Sequence, residues 1–266
     1  MNILVCIKQV PDTTEIRIDP VTNTLIREGV PSIVNTFDAY ALETAARIKD
    51  VQPNAKIVVA SMGPSQAQVA LKECLSVGAD KAYLVSDRAF GGSDTLATSY
   101  ILSCAVGKIQ ELEGKFDLIF CGKQAIDGDT AQVGPELAEH LGLPQITYAI
   151  EASVEGEEIL VKRECYEGYE ILAAKLPCLV TVTKPAYEPR KPSIKSKMAA
   201  TRAVITTLTA QDITIDLTKA GLKGSPTKVK KTFTPPRKTG GIMIEAENDV
   251  QAANELLGIL QNARLV

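Results

Sequence analysis

The chain has 266 residues, 45% of them hydrophobic and 23% charged, the balance of a soluble globular protein with room for one large domain or one domain with an appendage. Its net charge is −3, it has no tryptophan and only 5% of it is aromatic, so neither a positive field nor a base-stacking surface points to nucleic acid. No apolar run approaches the roughly 20 residues of a spanning helix, and the first residues read as a buried strand, not as a secretion signal, so neither a membrane protein nor a secreted one is expected.

The first 145 residues alternate short apolar runs with amphipathic stretches. A buried strand is predicted over 3–7, a small hairpin over 15–27, and a helix over 38–49 with Ala41, Leu42, Ala45 and Ile48 on one face. A strand over 56–61 and a helix over 65–75 follow, with Pro64 suited to the helix start. A strand over 81–85 leads to a helix over 94–112 capped by Ser93 or Asp94. A strand over 117–121, a polar loop and a helix from about 131 to 141 complete the series. Strand-helix alternation of this kind implies an α/β class: a doubly wound, mostly parallel sheet covered on both faces, with its ligand site at the carboxyl ends of the strands.

After Pro144 the pattern changes. Segments 146–154, 158–163, 169–174 and 178–183 read as strands that extend the sheet in antiparallel fashion. From Lys184 the chain is Pro-rich and basic, with six Lys/Arg against one Glu up to Arg202, and Pro185, Pro189 and Pro192 oppose regular structure. A second basic stretch, 228–238, and a final helix near 247–260 follow. These features divide the chain into a nucleotide-binding α/β domain, 1–185, and a C-terminal arm, 186–266.

Six cysteines, at 6, 74, 104, 121, 165 and 178, form no C-x-x-C pair, and four of them (Cys6, Cys104, Cys121, Cys178) lie in apolar runs. They read as reduced thiols of a cytoplasmic protein. The single histidine, His140, reads as a half-exposed helix residue, so no standard Cys/His zinc site can be assembled and a Ser-His-Asp triad lacks its G-x-S-x-G elbow.

Four strand ends can line one site. They carry Lys8-Gln9-Val10-Pro11, the stretch with Asn35 and Asp38, Ser61-Met62-Gly63-Pro64, and CGKQAIDGDTAQVGPE over 121–136. In the last, Gly122, Gly128 and Gly134 allow close backbone approach, and the loop opens directly into a helix whose first amides can hold phosphate, with Thr130 and Gln132 as side-chain donors. It is neither a Walker A nor a G-x-G-x-x-G sequence, and an ordinary helix start capped by Asp127 or Asp129 explains it equally well. An Asp127/Asp129 metal pair has no third ligand. The loop SDRAFGGSDTLATS, 86–99, offers a second oxygen-binding lip at Ser93, Asp94 and Thr95, though capping chemistry alone accounts for it.

The combination of VCIKQVPD, CGKQAIDGDTAQVGPELAEHLGLP and KRECYEGYEILAAKLPCLVTV resembles the β subunit of electron transfer flavoproteins over essentially the whole chain. Tyr166 and Glu167 depart from the small or acidic pair common at that turn. The resemblance implies a partner α subunit carrying a flavin, and a nucleotide site here. Carried over by motif, its contacts are Cys6; Asn35, Thr36, Phe37 and Asp38; Met62; Gly122, Lys123, Gln124, Ala125, Ile126 and Asp127; and Gly128, Asp129, Thr130, Ala131, Gln132 and Val133. Simple electron carriers of the family hold structural AMP there, whereas the electron-bifurcating branch holds FAD.

Two features look like the bifurcating branch. Gly128 stands where simple carriers tend to have a third acidic residue, and the 86–99 loop brings Asp94, Thr95 and Thr98 toward a ribityl-flavin part. FAD is therefore expected, with AMP as the alternative, NADH as electron donor, and ferredoxin and the α-subunit flavin as acceptors. Segment 188–198 resembles the family's recognition loop for a flavin dehydrogenase acting on an acyl- or enoyl-CoA or a hydroxy acid. There Ile194 is the apolar anchor, and Arg190, Lys195, Lys197 and Met198 surround it. Glu164 is a candidate ion-pair partner for the α subunit. No residue stands out as acid or base, so the chemistry would belong to the cofactor. A different class, an adenine-nucleotide module like the stress-protein or ATP-pyrophosphatase relatives of this fold, fits the loops alone.

Overall fold

In the computed structural model, which describes residues 1–12, 31–227, 230 and 240–266, β1 (Asn2–Cys6) buries Ile3, Leu4 and Val5 completely. A strand apolar on both sides has to be covered from both sides, and this sets the architecture. The chain passes through β2 (Gln9–Pro11), which pairs with antiparallel β3 (Ser32–Val34) in a separate two-stranded ribbon. The hairpin expected over 15–27 lies outside the described residues. Helix α1 (Thr36–Val51), strand β4 (Lys56–Met62) and helix α2 (Gln68–Ser76), entered through one 3-10 turn, lead to β5 (Lys81–Val85). Next come α3 (Thr95–Glu113), β6 (Leu118–Gly122) and α4 (Val133–Leu141). Gly142 ends α4 in the left-handed conformation at φ 63°, where glycine has no Cβ penalty.

A run of strands follows: β7 (Gln145–Glu155), β8 (Glu158–Cys165), β9 (Gly168–Lys175) and β10 (Cys178–Val182). They join one nine-stranded sheet in the order β11-β5-β4-β1-β6-β10-β7-β8-β9, where β11 is Thr206–Leu208. The antiparallel extension is smaller than the sequence implied. Strand β10 lies between β6 and β7 and runs parallel to both, and only the pairings of β8 with β7 and with β9 are antiparallel. The reason is composition: all five residues of β10 are buried, which demands an interior position, whereas β8 and β9 alternate and keep one face wet. Residues of α1 and α2 pack on one face of the sheet, and residues of α3 and α4 on the other.

The chain winds from β1 through β4 to β5, then crosses back so that β6 lies on the other side of β1. This reversal makes the carboxyl ends of β1 and β6 the place where a crevice opens. At the opposite end of the sheet, Glu113 closes a charge cluster, accepting from the ammonium groups of Lys56 and Lys81 and from the Tyr83 hydroxyl. Burial opposes the ionisation of Glu113, but these three donors outweigh it and hold its carboxyl down at about 2.

The structure clusters into two compact units, Met1–Lys230 and Lys231–Val266. Helix α5 (Ile194–Arg202) begins two residues after Pro192 and is capped by Ser193, so the prolines stop short of the basic segment they were expected to keep irregular. Strand β11 extends the sheet beside β5, and Ala200, Leu208, Ile213 and Ala220 are buried. A one-turn α6 (Gly221–Gly224) follows. In the second unit, α7 (Asp249–Asn262) is capped by Asn248 and buries none of its residues. Among the described residues, no helix is long and apolar enough to cross a membrane.

Candidate functional site

The site grows from two buried polar residues at the start of α1. By type, Asn35 and Asp38 suit a helix cap or a sugar contact; in the structure their side chains bind backbone groups of neighbouring segments. Asn35, 1% exposed, makes no capping bond. Its amide donates to the Gln124 carbonyl at 2.8 Å and accepts from the Ile126 N–H at 3.0 Å, using both ends on the loop after β6. Asp38 accepts from the Lys8 N–H at 2.7 Å with one oxygen and from the Gly122 N–H at 3.1 Å with the other. Burial pushes its carboxyl up to about 7, against the opposing pull of these N–H groups, Asn35 and the Lys8 charge. Gly122 has to be glycine, because a Cβ there would lie 2.3 Å from an Asp38 oxygen.

Above this clamp, residues 126–130 are all exposed, and Asp129 (φ 53°) and Ala131 (φ 55°) take left-handed backbone. The expected caps of α4 are not formed. Asp127 pairs with the Lys8 ammonium at 2.6 Å, and Asp129 accepts from the Gln124 amide at 2.7 Å. The residue before α4, Gln132, makes no capping bond. Two helices of nine residues or more, α1 and α4, therefore begin without side-chain caps on either side of the loop after β6, which the Asn35 bonds tie to the start of α1. Uncapped N–H groups carry partial positive charge and fit an anionic oxygen ligand such as a phosphate. A Cβ at Gly128 would meet nothing within 4 Å, so the tip of the loop is open.

The 86–99 loop reaches the same place. The Thr95 hydroxyl lies 3.2 Å from both the Gln132 amide oxygen and a Glu136 carboxylate oxygen, which joins the start of α3 to the start of α4. Asp94 is the cap of α3, accepting from the Ala97 N–H at 3.0 Å. Its other oxygen accepts from the Thr227 N–H at 3.0 Å and hydroxyl at 2.8 Å, and its own N–H donates to the Ser225 hydroxyl. Burial works against ionisation of Asp94, but these donors prevail and keep the carboxyl below its usual range. Asp94 thus organises its own loop, with one N–H on one oxygen and Thr227 on the other, and Thr95 and Thr98 beside it are half-buried.

Cys6 and Met62 lie at the carboxyl ends of β1 and β4, on the α3/α4 face of the sheet. Thr36 is exposed and Phe37 half-buried at the first turn of α1. Lys123 starts the loop with its ammonium 4.9 Å from the centre of the Tyr148 ring. Sequence reasoning missed three participants. Tyr148 sits at a bulge in β7 with φ 60°, which no local pattern announces. Ser225 and Thr227 lie far along the chain, although Gly224-Ser225-Pro226-Thr227 is a turn-like cluster that signals a loop. Lys8, by contrast, stands in the first of the strand-end loops named from the sequence, and its ammonium meets Asp127.

On the basic segment, Ile194 is 82% exposed and Met198 55% exposed one turn later on α5, and they line a shallow groove with Lys195, Ala199 and Arg202. Lys197 is exposed as well. Arg190 does not belong to that surface. Its guanidinium bonds Glu43 at 2.8 Å and Asp50 at 2.7 Å on α1, and its N–H also donates to Glu43. Tyr187 adds a 2.8 Å hydroxyl bond to Thr44 and stacks under Arg47. These contacts fix the segment that precedes α5. Among the described residues, no group of three or more His, Cys, Asp or Glu side chains is placed to hold a metal.

The profile of the electron transfer flavoprotein domain matches residues 22–213. The chain is 53% identical to the electron transfer flavoprotein subunit beta of Megasphaera elsdenii over 255 residues, which cover 95% of this chain and 94% of the relative. It is 47% identical over 266 residues, all of both chains, to the caffeyl-CoA reductase-Etf complex subunit CarD of Acetobacterium woodii. To the protein FixA of Azorhizobium caulinodans it is 48% identical over 239 residues, 88% of this chain and 85% of the relative.

Proposed function

The chain belongs to the family of electron transfer flavoprotein β subunits, which pair with an α subunit, and from that premise we propose that its β1/β6 crevice holds FAD in an electron-bifurcating heterodimer. The observation that carries this reading is the pair of uncapped helix starts, α1 and α4, meeting at one open loop. Backbone N–H groups of 130–133 hold the pyrophosphate, and Thr36 and Phe37 line the adenosine side. Thr95 and Thr98 would line its flavin end. The chemistry such a cofactor supplies is hydride acceptance from NADH, followed by single-electron transfer to ferredoxin and to the flavin of the α subunit.

The protein residues place and polarise; none moves a proton in this scheme. Asn35 and Asp38 hold the loop in register, and Lys8 and Lys123 offset phosphate charge at the mouth. Helix α5, held at its base by Arg190, presents Ile194 and Met198 within a ring of Lys195, Lys197 and Arg202 to a flavin dehydrogenase. The apolar centre gives affinity and the basic rim steers the approach. A relative whose name couples a caffeyl-CoA reductase to an Etf complex supports a CoA-ester dehydrogenase as the partner.

A structural AMP in a single-flavin carrier is the second reading. One observation favours it: Asp94, which was expected near the flavin, spends both oxygens on Ala97 and Thr227. The test is NADH-driven ferredoxin reduction by the purified αβ complex, with and without the electron-accepting dehydrogenase and its substrate. Ferredoxin reduction that requires the second acceptor supports bifurcation. NADH oxidation that reduces the dehydrogenase with no ferredoxin requirement supports the simple carrier.

A further inference from the structure

Two thiols meet at the switch point of the sheet. Strands β1 and β6 are adjacent and parallel, with Ile3 beside Leu118, Leu4 beside Ile119 and Val5 beside Phe120. One further step in this register sets Cys6 beside Cys121. Alternation puts Leu4, Cys6, Ile119 and Cys121 on the same face of the sheet, in the cluster under α3 and α4. Neighbouring strands lie about 4.8 Å apart, inside the roughly 4.4–6.8 Å Cα separation that a disulfide spans. We propose that Cys6 and Cys121 act as one dithiol, an oxidation site that closes to a disulfide between β1 and β6 when the protein meets a peroxide.

The other four cysteines lack this arrangement. Cys178 on β10 is level with Leu118, while Thr181 is the residue level with Cys121. Cys74, Cys104 and Cys165 lie on α2, α3 and β8. Contact with the Cys6 thiol, and then burial, hold the Cys121 thiol well above its ordinary range, which suits Cys121 to the second, resolving role and not to the first attack. Cys6 ends β1 with 8% of its surface accessible, against 5% for Cys121, so the oxidant reaches Cys6 first.

The chemistry balances in two steps. The Cys6 sulfur attacks hydrogen peroxide, the O–O bond breaks, and a sulfenic acid and one water form. The Cys121 sulfur then attacks the sulfenic sulfur, the S–O bond breaks, and the hydroxyl leaves as a second water with the thiol proton. Two thiols are oxidised and one peroxide is reduced. The new bond ties together the two strand ends that carry Lys8 and Gly122, the groups Asp38 clamps. The proposal concerns thiols alone and holds whichever nucleotide the crevice takes.

The experiment treats the αβ complex with hydrogen peroxide, blocks remaining thiols with iodoacetamide in denaturant, and maps the peptides by mass spectrometry without reduction. This chain should lose the mass of two hydrogens, and the peptides bearing Cys6 and Cys121 should appear as one cross-linked species that thiol reductant separates. Cys104 and Cys165 should remain alkylated. In Cys6→Ser and in Cys121→Ser, each checked for an unchanged circular dichroism spectrum, the mass loss should vanish. A disulfide between other cysteines, a mass loss that survives in either variant, or separate alkylation of Cys6 and Cys121 after exposure that oxidises Cys104 or Cys165 would overturn the proposal.

Discussion

Replacing Asp38 with asparagine tests the electrostatics of the clamp. The carboxyl is buried with two N–H donors on it, and its pKa rises from 3.8 to about 7. Because the folded value lies above the unfolded one, the protonated carboxyl favours the native state. That contribution is complete below about pH 3.8 and is lost as the pH rises through about 7. Each pKa unit corresponds to about 1.4 kcal/mol, so full ionisation costs the native state on the order of 4 kcal/mol. Roughly 2 kcal/mol of it develops between pH 5.5 and 8. Asparagine carries no such proton. It gives up one of the two acceptors, a loss that does not change with pH. In urea unfolding followed by far-ultraviolet circular dichroism, the gap between Asp38→Asn and the parent should therefore move in the variant's favour by about 2 kcal/mol between those pH values, about 0.7 M in midpoint. A gap that stays constant would mean that water reaches the carboxylate and that the ends of β1 and β6 are not sealed over it.

Asn35→Leu removes both bonds to the 124–126 loop and should cost about 2–4 kcal/mol of local stability, seen as faster amide exchange at Ile126 and loss of retained nucleotide on gel filtration. Unchanged exchange there would show that Asn35 does not hold the loop. Glu113→Gln should remove up to about 3 kcal/mol at neutral pH, since the carboxyl is held at about 2 against 4.5. That stability is present above about pH 4.5 and disappears as pH falls through 2, so parent and variant melting temperatures should converge in acid. Ile194→Asp should lower electron transfer to the dehydrogenase at least about tenfold, as loss of a central interface anchor does, while NADH still reduces the complex at the parental rate. Equal rates with the dehydrogenase would place the docking surface elsewhere.

What the sequence revealed depended on how local the cause was. The two-sided apolarity of Ile3 to Val5 indicated a buried strand, and Ser93 or Asp94 a helix cap, which the structure gives to Asp94. Both rest on neighbouring residues. The position of β10 between β6 and β7 depends on which strands pair across long separations, although its unbroken burial hinted at an interior place. The site shows the same division. The glycines and the helix start of the 121–136 loop were legible, and so was the need for close approach at Gly122. The diversion of Asp127 to Lys8, 119 residues away, was not, nor was that of Asn35 to Gln124. The same holds for Arg190, whose charge suggested a partner while its real neighbours, Glu43 and Asp50, sit on α1.

The identity of the nucleotide in the crevice decides the account most directly. The αβ complex, purified without added cofactor, can be denatured and its released nucleotides separated by chromatography and quantified against protein. Two FAD per heterodimer is the expected result, one of them in the loop cluster of Asn35, Gly122 and Thr130. One FAD with one AMP would contradict the assignment and leave this chain the scaffold of a single-flavin carrier.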